Sequence, residues 1–489
     1  MNIITRKKRY WYKESIWYEM YINLFYDSNK DGIGDIQGLI EKIPYLKDLG
    51  IDTLLLLPFY PSTMKDYGYD VTDYLNVRKE IGNIDEFKIL LKKLKENNIK
   101  VIIDLVINHT SYKHPWFEKS KKNISLYKDY YLWEKDISNM KKDDIIFNSI
   151  ENSNWEYSKE RKAYYYHKFY KYQPDLNWNN PLVFDEFKKI ISFYTKLGVS
   201  GFRIDAALYI KKDSRYGIDE KGSIKIIHKL LEEGLKINKD IIFITEIAKP
   251  LDTIKKFLKS NIMTFNFDLM PRILMSLKME DKKYVEKFLP LYDCIEKDYQ
   301  VGNFLRNHDG ISLQGLNKKD QFIYFNALNT SNNIFSGEIS ERLINLLEDS
   351  TDKVILGYSI LFFQEGAPII YMGDERGEGN ITTNNKDSRM DVRGLIQWDK
   401  YNTKIYKEIK KLIAIRKKYI QDIVYSKLII KEYKDLLFFR KNNILFIFNL
   451  SKKEIEIELQ GEILYQRNII QKNKIFLIEN YGILLLKSI

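Results

Sequence analysis

The segment 201–206 combines an arginine and a carboxylate with an apolar run. Its sequence, Gly-Phe-Arg-Ile-Asp-Ala, predicts a buried strand on which Arg203 and Asp205 lie two residues apart and so share one face. Charged groups at the end of a buried strand are costly unless they are paired or used in chemistry. An ion pair that closes the strand would by itself explain this segment.

Three other apolar runs end in polar or ionisable residues in the same way. They are 101–109, which ends in Asn108-His109; 241–246, which ends in Glu246; and 303–309, which ends in His308-Asp309. Acidic side chains brought together are the groups that nucleophilic and acid–base catalysis use. Four runs of this form point to a shared site rather than to isolated ion pairs.

The four runs resemble, in order and spacing, the four signature regions of the alpha-amylase family (glycoside hydrolase family 13). The segment 173–178 (Gln-Pro-Asp-Leu-Asn-Trp) resembles the additional region of its oligo-1,6-glucosidase branch. The resemblance implies that Asp205 is the nucleophile, Glu246 the general acid and base, and Asp309 the carboxylate that holds the sugar hydroxyls in the transition state. Two carboxyl groups about 5–5.5 Å apart cleave a glycosidic bond with retention of configuration. A structural ion pair is the alternative for each carboxylate.

Two sequence features support this division of labour. Arg203 lies beside Asp205 on the predicted strand and should keep that carboxylate ionised. Glu246 follows the apolar segment 242–244, and apolar surroundings should keep it protonated as the acid.

The resemblance also implies a set of sugar-binding residues. They are Asp66, Tyr69, His109, Arg203, His308 and Arg393. Tyr69 is expected to stack on the glucose of the innermost subsite, and the two histidines to hydrogen-bond to it; a lone histidine could equally be a core residue. Asp70 and Asp104 are expected to hold Arg203 and the nucleophile in place. Arg393 resembles an arginine of a late motif of the branch, although Gly-Leu-Ile follows it here.

The segment 27–35 (Asp-Ser-Asn-Lys-Asp-Gly-Ile-Gly-Asp) places oxygen ligands at every second position around a glycine turn. The candidate metal ligands are Asp27, Asn29, Asp31, Ile33 and Asp35. This spacing suits a hard cation such as calcium, and a polar turn that uses its Asp and Asn side chains locally is the alternative. The resemblance implies a structural calcium ion, with magnesium left open, and no organic cofactor.

Predicted strands alternate with predicted helices through most of the chain, which indicates an α/β fold with a parallel sheet inside a layer of helices. The predicted strands are 16–25, 53–60, 101–108, 201–206, 241–246, 263–268, 300–307 and 368–371. The predicted helices are 36–49, 84–97, 181–197, 223–235, 251–259, 269–288, 351–363 and 406–416. Eight strands make a closed (β/α)8 TIM barrel, in which catalytic groups lie at the C-terminal ends of the strands.

Two regions interrupt the barrel pattern. The connection 109–178 is too long for a β/α unit, and its aromatic, irregular sequence indicates an inserted subdomain after the third strand. In the family the equivalent insertion forms one wall of the substrate cleft. Short β-rich runs predict a C-terminal antiparallel β domain over 422–489; they are 436–440, 444–449, 455–459 and 475–478. The catalytic barrel is accordingly assigned to 1–108 and 179–421.

The chain has 489 residues and a net charge of +12. A basic charge is compatible with nucleic-acid binding, but acidic residues are interleaved with the lysines and no nucleic-acid-binding motif is present, which favours a solvated surface without nucleic acid. The apolar runs are too short to span a membrane. The single cysteine, Cys294, excludes an intrachain disulfide, and 1–8 lacks the apolar stretch of a signal peptide. Both observations predict a cytoplasmic protein.

Within the family, segments such as 57–60 (Leu-Pro-Phe-Tyr) and 269–272 (Leu-Met-Pro-Arg) resemble the trehalose synthases, which interconvert maltose and trehalose. This implies a retaining enzyme that acts on small α-glucosides such as maltose or trehalose through a covalent glucosyl intermediate on Asp205. The alternatives are an exo-acting α-glucosidase or transglucosylase and, more remotely, a non-catalytic carbohydrate-binding protein. An isomerase would need a closed pocket that excludes water. The sequence does not indicate an oligomeric state.

Overall fold

Eight parallel strands close into a barrel in a computed structural model that describes residues 10–140, 144–294, 300–329, 334–383 and 387–488. The strands are Trp17–Met20, Thr53–Leu56, Lys100–Leu105, Gly201–Ile204, Ile242–Thr245, Ile262–Phe265, Gln300–Asn303 and Ala367–Tyr371. They follow one another around the ring in chain order, and the first pairs with both the second and the eighth. The predicted TIM barrel is therefore confirmed.

The barrel strands are apolar and buried on both faces, as parallel sheets require. Leu54, Leu55 and Leu56 of the second strand have no exposed surface. The fourth and fifth strands end one residue before Asp205 and Glu246, so these carboxylates lie on the loops at the C-terminal mouth and not within the strands as predicted.

Helices cover the outside of the barrel. They are Ile36–Glu41, Ile43–Leu49, Ile84–Glu96, Pro181–Leu197, Glu220–Leu235, Leu251–Lys255, Leu269–Met279, Lys283–Glu286, Lys318–Leu328, Leu343–Leu346, Thr351–Phe362, Thr403–Lys418 and Ile420–Val424, with short helices at Trp11–Glu14 and Pro115–Lys121. The helix Pro181–Leu197 has the predicted bounds: Asn180 accepts a hydrogen bond from the Leu182 amide at 3.0 Å, and Gly198 ends the helix at φ 108°. No helix in the described part of the chain is long and apolar enough to cross a bilayer.

Several predicted helix bounds are wrong. The helix predicted over 269–288 ends at Met279, because Glu280 adopts a left-handed conformation (φ 54°). The helix predicted over 36–49 is two helices, and Pro44 stands in the first turn of the second. The helix predicted over 251–259 ends at Lys255. The helix Lys318–Leu328 was not predicted, because only Tyr324 and Leu328 of its residues are buried and its apolar pattern is weak.

The inserted region carries a small antiparallel sheet in the order Trp133–Glu134, Ala163–Tyr166, Trp155–Ser158. Its last segment returns to the barrel mouth, where Trp178 Nε1 donates a hydrogen bond to the Ile107 carbonyl at 2.8 Å. The predicted insertion after the third strand is therefore present, and its end is tied to that strand.

The C-terminal region forms an antiparallel sheet, as predicted. Its strands are Leu428–Ile430, Leu436–Lys441, Ile444–Asn449, Ile455–Glu458, Gly461–Lys472 and Ile475–Ser488. Two of them, Leu428–Ile430 and Gly461–Lys472, were not predicted, and the last runs ten residues beyond its predicted end at 478. Phe446 packs this sheet against Phe363 of the barrel, with ring centroids 5.1 Å apart. The segment 1–8, on which the signal-peptide prediction depends, lies outside the described residues.

Candidate active site

A cavity of about 490 Å³ lies at the C-terminal mouth of the barrel. Its lining includes the sequence-predicted residues Asp66, Tyr69, His109, Asp205, Glu246 and Asp309. These residues come from loops after five different strands, and closure of the barrel brings them together. The volume falls within the range of small-molecule sites, about 300–1,000 Å³.

One buried arginine joins the two carboxylates expected to carry the reaction. Arg203 Nη1 lies 3.1 Å from Asp205 Oδ1, and Nη2 lies 2.8 Å from Glu246 Oε2. Arg203 also forms a short ion pair with Asp104. Both carboxylates therefore contact one guanidinium group, so they can act on the same glycosidic bond, as a retaining mechanism requires.

The surroundings of Glu246 differ from the prediction. Besides Arg203, its carboxylate accepts a hydrogen bond from the Ala206 amide at 3.2 Å. Ala206 adopts φ 48°, a left-handed conformation that turns its amide back toward Glu246 directly after Asp205. The prediction of apolar surroundings is therefore wrong for the Glu246 carboxylate. Ionic and polar contacts hold this group.

Burial controls the protonation of the acids around Arg203. It raises the pKa of the Asp205 carboxyl well above its ordinary value, Arg203 opposes this rise, and the neighbouring Glu246 adds to it. It also raises the pKa of Asp104 to about 6 against the opposing effect of Arg203. Arg203 contacts Asp205 as expected, but burial has a larger effect on the pKa of Asp205 than Arg203 has.

Asp309 has the opposite environment. Burial disfavours its charge, but His308, Arg393 and Arg389 together hold its pKa well below its usual range. Arg393 Nη2 donates to Asp309 Oδ1 at 2.6 Å, and His308 Nε2 lies 3.0 Å from Oδ2. Asp309 is therefore an ionised acceptor.

Tyr69 is bonded to the residues that surround the two catalytic candidates. Its hydroxyl donates to Asp104 Oδ2 at 2.8 Å and lies 2.8 Å from both Arg203 Nη1 and His308 Nε2. The structure thus joins Tyr69, Arg203 and His308 in one network. Its ring lines the cavity, in a position to contact a bound sugar.

His109 lines the cavity with an almost fully buried ring. Burial lowers its pKa to about 4, so the ring is neutral near pH 7. Its Nδ1 lies 3.3 Å from the Asn108 amide nitrogen, whereas its buried Nε2 has no partner within the described residues.

Asp66 is held by residues from two distant segments. Gln173 of the fifth family-like segment donates to its Oδ2 at 2.9 Å, and Arg389 donates to its Oδ1 at 3.2 Å. Asp70 does not hold Arg203 or the nucleophile, contrary to expectation. It bonds instead to Ser62, Thr63 and the Asp66 amide, and so shapes the loop that carries Asp66 and Tyr69.

Three lining residues that the sequence analysis did not identify pack against one another, and we call Phe147, Phe335 and Arg389 the roof. The rings of Phe147, from the inserted region, and Phe335 lie 5.5 Å apart. The Arg389 guanidinium lies 5.3 Å from the first ring centroid and 4.6 Å from the second. None of the three lies directly after the end of a barrel strand, so no strand-end pattern marks them. Glu338, discussed below, was missed for the same reason.

The candidate metal loop uses its carboxylates on its own backbone. Asp27 accepts hydrogen bonds from the Lys30 amide at 2.6 Å and the Gly32 amide at 2.7 Å, and Asp35 caps the following helix. Within the described ranges no group of three His, Cys, Asp or Glu side chains is arranged to hold a metal ion. A carboxylate has further lone pairs, so a cation would have to share these oxygens with the amides. The calcium site stays a prediction.

Comparisons with known proteins agree with this geometry. The family model described as the alpha amylase catalytic domain matches residues 19–446. The trehalose synthase of Thermus thermophilus is 35% identical over 396 residues, which is 79% of this chain and 40% of that protein. Alpha-amylase 3 of Dictyoglomus thermophilum is 33% identical over 511 residues, covering 96% of this chain and 92% of that protein.

A solved structure shares the fold over the whole chain. The crystal structure of an alpha-amylase from H. orenii has a TM-score of 0.80 and 25% sequence identity, and the match covers 98% of this chain and 100% of that one. The chain therefore spans a complete relative of similar length, but less than half of the T. thermophilus protein.

Proposed function

We propose that this chain, which belongs to the alpha-amylase family, interconverts maltose and trehalose by a retaining mechanism with a glucosyl intermediate on Asp205. The observation that carries the proposal is the pairing of Asp205 and Glu246 through Arg203 inside a roofed cavity. A trehalose synthase among its relatives supports the choice of substrates.

The first half of the reaction breaks the bond between the two sugars. Asp205 Oδ attacks the anomeric carbon as Glu246 gives its proton to the departing oxygen, so a glucosyl ester forms on Asp205 and glucose is released. Attack requires ionised Asp205, and its contact with Arg203 supports that form against burial. Ionised Asp309 accepts hydrogen bonds from sugar hydroxyls as positive charge develops on the ring.

The second half forms the new bond. Glu246, now a carboxylate, takes the proton of the C1 hydroxyl of the released glucose, whose oxygen attacks the glucosyl ester and gives trehalose with free Asp205. Water that attacks instead gives a second glucose. The proposal assigns the first outcome to the roof, because a site that limits the entry of water retains the released sugar.

Hydrolysis is the second candidate. Alpha-amylase 3 of D. thermophilum matches nearly the full length of this chain, and this supports hydrolysis of α-glucosidic bonds on the same machinery. An exo-acting α-glucosidase or transglucosylase is the form of this alternative that the sequence analysis left open. A non-catalytic binding protein is disfavoured because Asp205, Glu246 and Asp309 are all present around one cavity. We further propose that 27–35 binds a structural calcium ion.

Anomeric proton NMR of the purified protein with maltose tests the proposal. Trehalose that accumulates with little glucose is the expected result. If glucose is the only product, the protein is a hydrolase and the proposed isomerase activity is wrong. Intact maltose, together with intact trehalose, isomaltose and aryl α-glucoside, would overturn both.

A further inference from the structure

A two-residue hairpin over 334–339 brings an additional carboxyl group to the cavity. Ile334 pairs with Ile339 and Phe335 with Glu338, and the turn residues Ser336 and Gly337 have φ 47° and 85°. Positive φ at both central residues is the type I′ turn, whose twist matches that of the paired strands. The hairpin is therefore a compact element that holds Glu338 in a defined direction.

The hairpin is attached to the segment that follows Asp309. Ile311 donates a backbone hydrogen bond to the Ile339 carbonyl at 2.8 Å, and the Ile339 amide donates back at 3.4 Å. In an antiparallel bridge of this register, Glu338 lies opposite Ser312 and diagonal to Gly310 on the same face. Phe335 lies on the first strand of the hairpin, and its contact with Arg389 holds that strand in place.

Gly310 provides the space that Glu338 uses. A Cβ atom at position 310 would lie 2.7 Å from the Glu338 Cβ and 3.3 Å from its Oε2. Any side chain there would push Glu338 away. The absence of a side chain directly after Asp309 thus lets a residue from another element reach the cavity, where Glu338 is among the lining residues.

The charges around Glu338 suit a hydrogen-bond donor. Burial raises its pKa to about 8, and the charges of Asp309 and Glu246 add to the rise, whereas a hydrogen bond with Ser312 and the charge of Arg389 oppose it. The carboxyl therefore carries its proton at neutral pH. A protonated acid can donate one hydrogen bond and accept others, which matches the vicinal hydroxyls of a sugar.

We propose that Glu338 contacts the hydroxyls of the second sugar, the leaving group in cleavage and the acceptor in transfer, and so determines which acceptor is used. The inference deepens the proposed function and rests on it. The first sugar has its own partners, because Tyr69, His308 and Arg203 form a continuous network beside Asp205. Glu338 belongs to a separate element, the hairpin that pairs with the segment after Asp309.

Two substrates separate this role from a structural one. Maltose has a second sugar with hydroxyls. An aryl α-glucoside such as p-nitrophenyl α-glucoside has only one sugar and no hydroxyls outside it. In Glu338→Ala, kcat/KM for maltose should fall about tenfold, the effect of one lost hydrogen bond of about 1.4 kcal/mol. The value for the aryl glucoside should change less than about threefold, because the lost partner is absent from that substrate.

Further variants distinguish the loss of the Glu338 contact from misfolding of the protein. Glu338→Gln keeps a donor and the same shape, so both substrates should stay near wild type. Gly310→Ala should act like Glu338→Ala, because the added Cβ displaces the carboxyl. Glu341→Gln, a buried acid bonded to Asn380 nearby, is the control and should change neither substrate.

Equal losses on both substrates in Glu338→Ala, or no loss on maltose, would overturn the inference. The outcome is distinct from that of the proposed function. If the wild type turns maltose into glucose without trehalose, the isomerase fails, yet the comparison of the two substrates still decides the role of Glu338.

Discussion

His308 Nε2 lies 3.0 Å from Asp309 Oδ2, and Nδ1 of the same ring bonds to Glu19. Both ring nitrogens face carboxylates, and both can donate only in the charged imidazolium. Burial opposes this charge, but Asp309 and Glu19 raise the pKa of His308 above its ordinary value. The histidine is thus a buried cation that fixes the direction of Asp309.

Replacement of His308 by Gln should destabilise the protein most at low pH. A raised pKa contributes stability that is fully present below the unfolded-state value of about 6.5 and is lost as pH rises through the folded-state value. The difference in melting temperature between wild type and variant should therefore be larger at pH 6 than at pH 9. Burial lowers the pKa of His228, so His228→Gln should not show this slope. A difference independent of pH would contradict the charged state of His308.

Asp205→Asn should reduce turnover of maltose by at least about a thousandfold, because an amide cannot form the glucosyl ester. Binding of maltose, measured by calorimetry, should persist, since the sugar contacts proposed for Tyr69, His109 and Asp309 do not involve Asp205. Asp240→Asn, which changes an exposed carboxylate just before the fifth strand, is the matched control. Substantial activity in the Asp205 variant would exclude it as nucleophile.

Arg389→Ala should increase the share of glucose relative to trehalose among the products. The variant opens the roof and removes contacts to Asp66 and Asp309, so total turnover should also fall, by about tenfold or more if a hydrogen bond to a charged group is worth about 1.5–3 kcal/mol. Arg161 lies over Trp133 in the inserted region at 5.0 Å, and Arg161→Ala should leave the product ratio unchanged. Loss of activity at a constant ratio would show that the roof does not control access of water.

Removal of divalent cations with a chelator should lower the melting temperature, and calcium should restore it. A ligand at a hundred times its Kd stabilises the folded state by about 2.7 kcal/mol. Asp31→Asn should abolish the response while the wild-type loop keeps it, and magnesium in place of calcium tests the identity of the ion. A melting temperature that neither ion changes would leave 27–35 as a polar turn.

The strand-end carboxylates could be predicted because a parallel barrel imposes a local pattern. Each buried strand is a short apolar run, and the residue just beyond it faces the mouth. Asp205 and Glu246 obey this rule within one residue of the predicted strand ends. The helix Lys318–Leu328 lacked such a pattern, since Phe322 is 71% exposed and few of its apolar residues face the core.

The sequence by itself determined the barrel, through hydrophobic periodicity over a few residues, and it pointed to three catalytic candidates through the resemblance of its strand-end segments to the alpha-amylase family. Only the tertiary structure decided what closes the site. Arg389 reaches Asp66 across 323 positions of the chain, and Glu338 reaches the cavity because Gly310 leaves room for it. Such contacts depend on the paths of loops in space, and loop paths follow from packing against distant elements rather than from any local pattern.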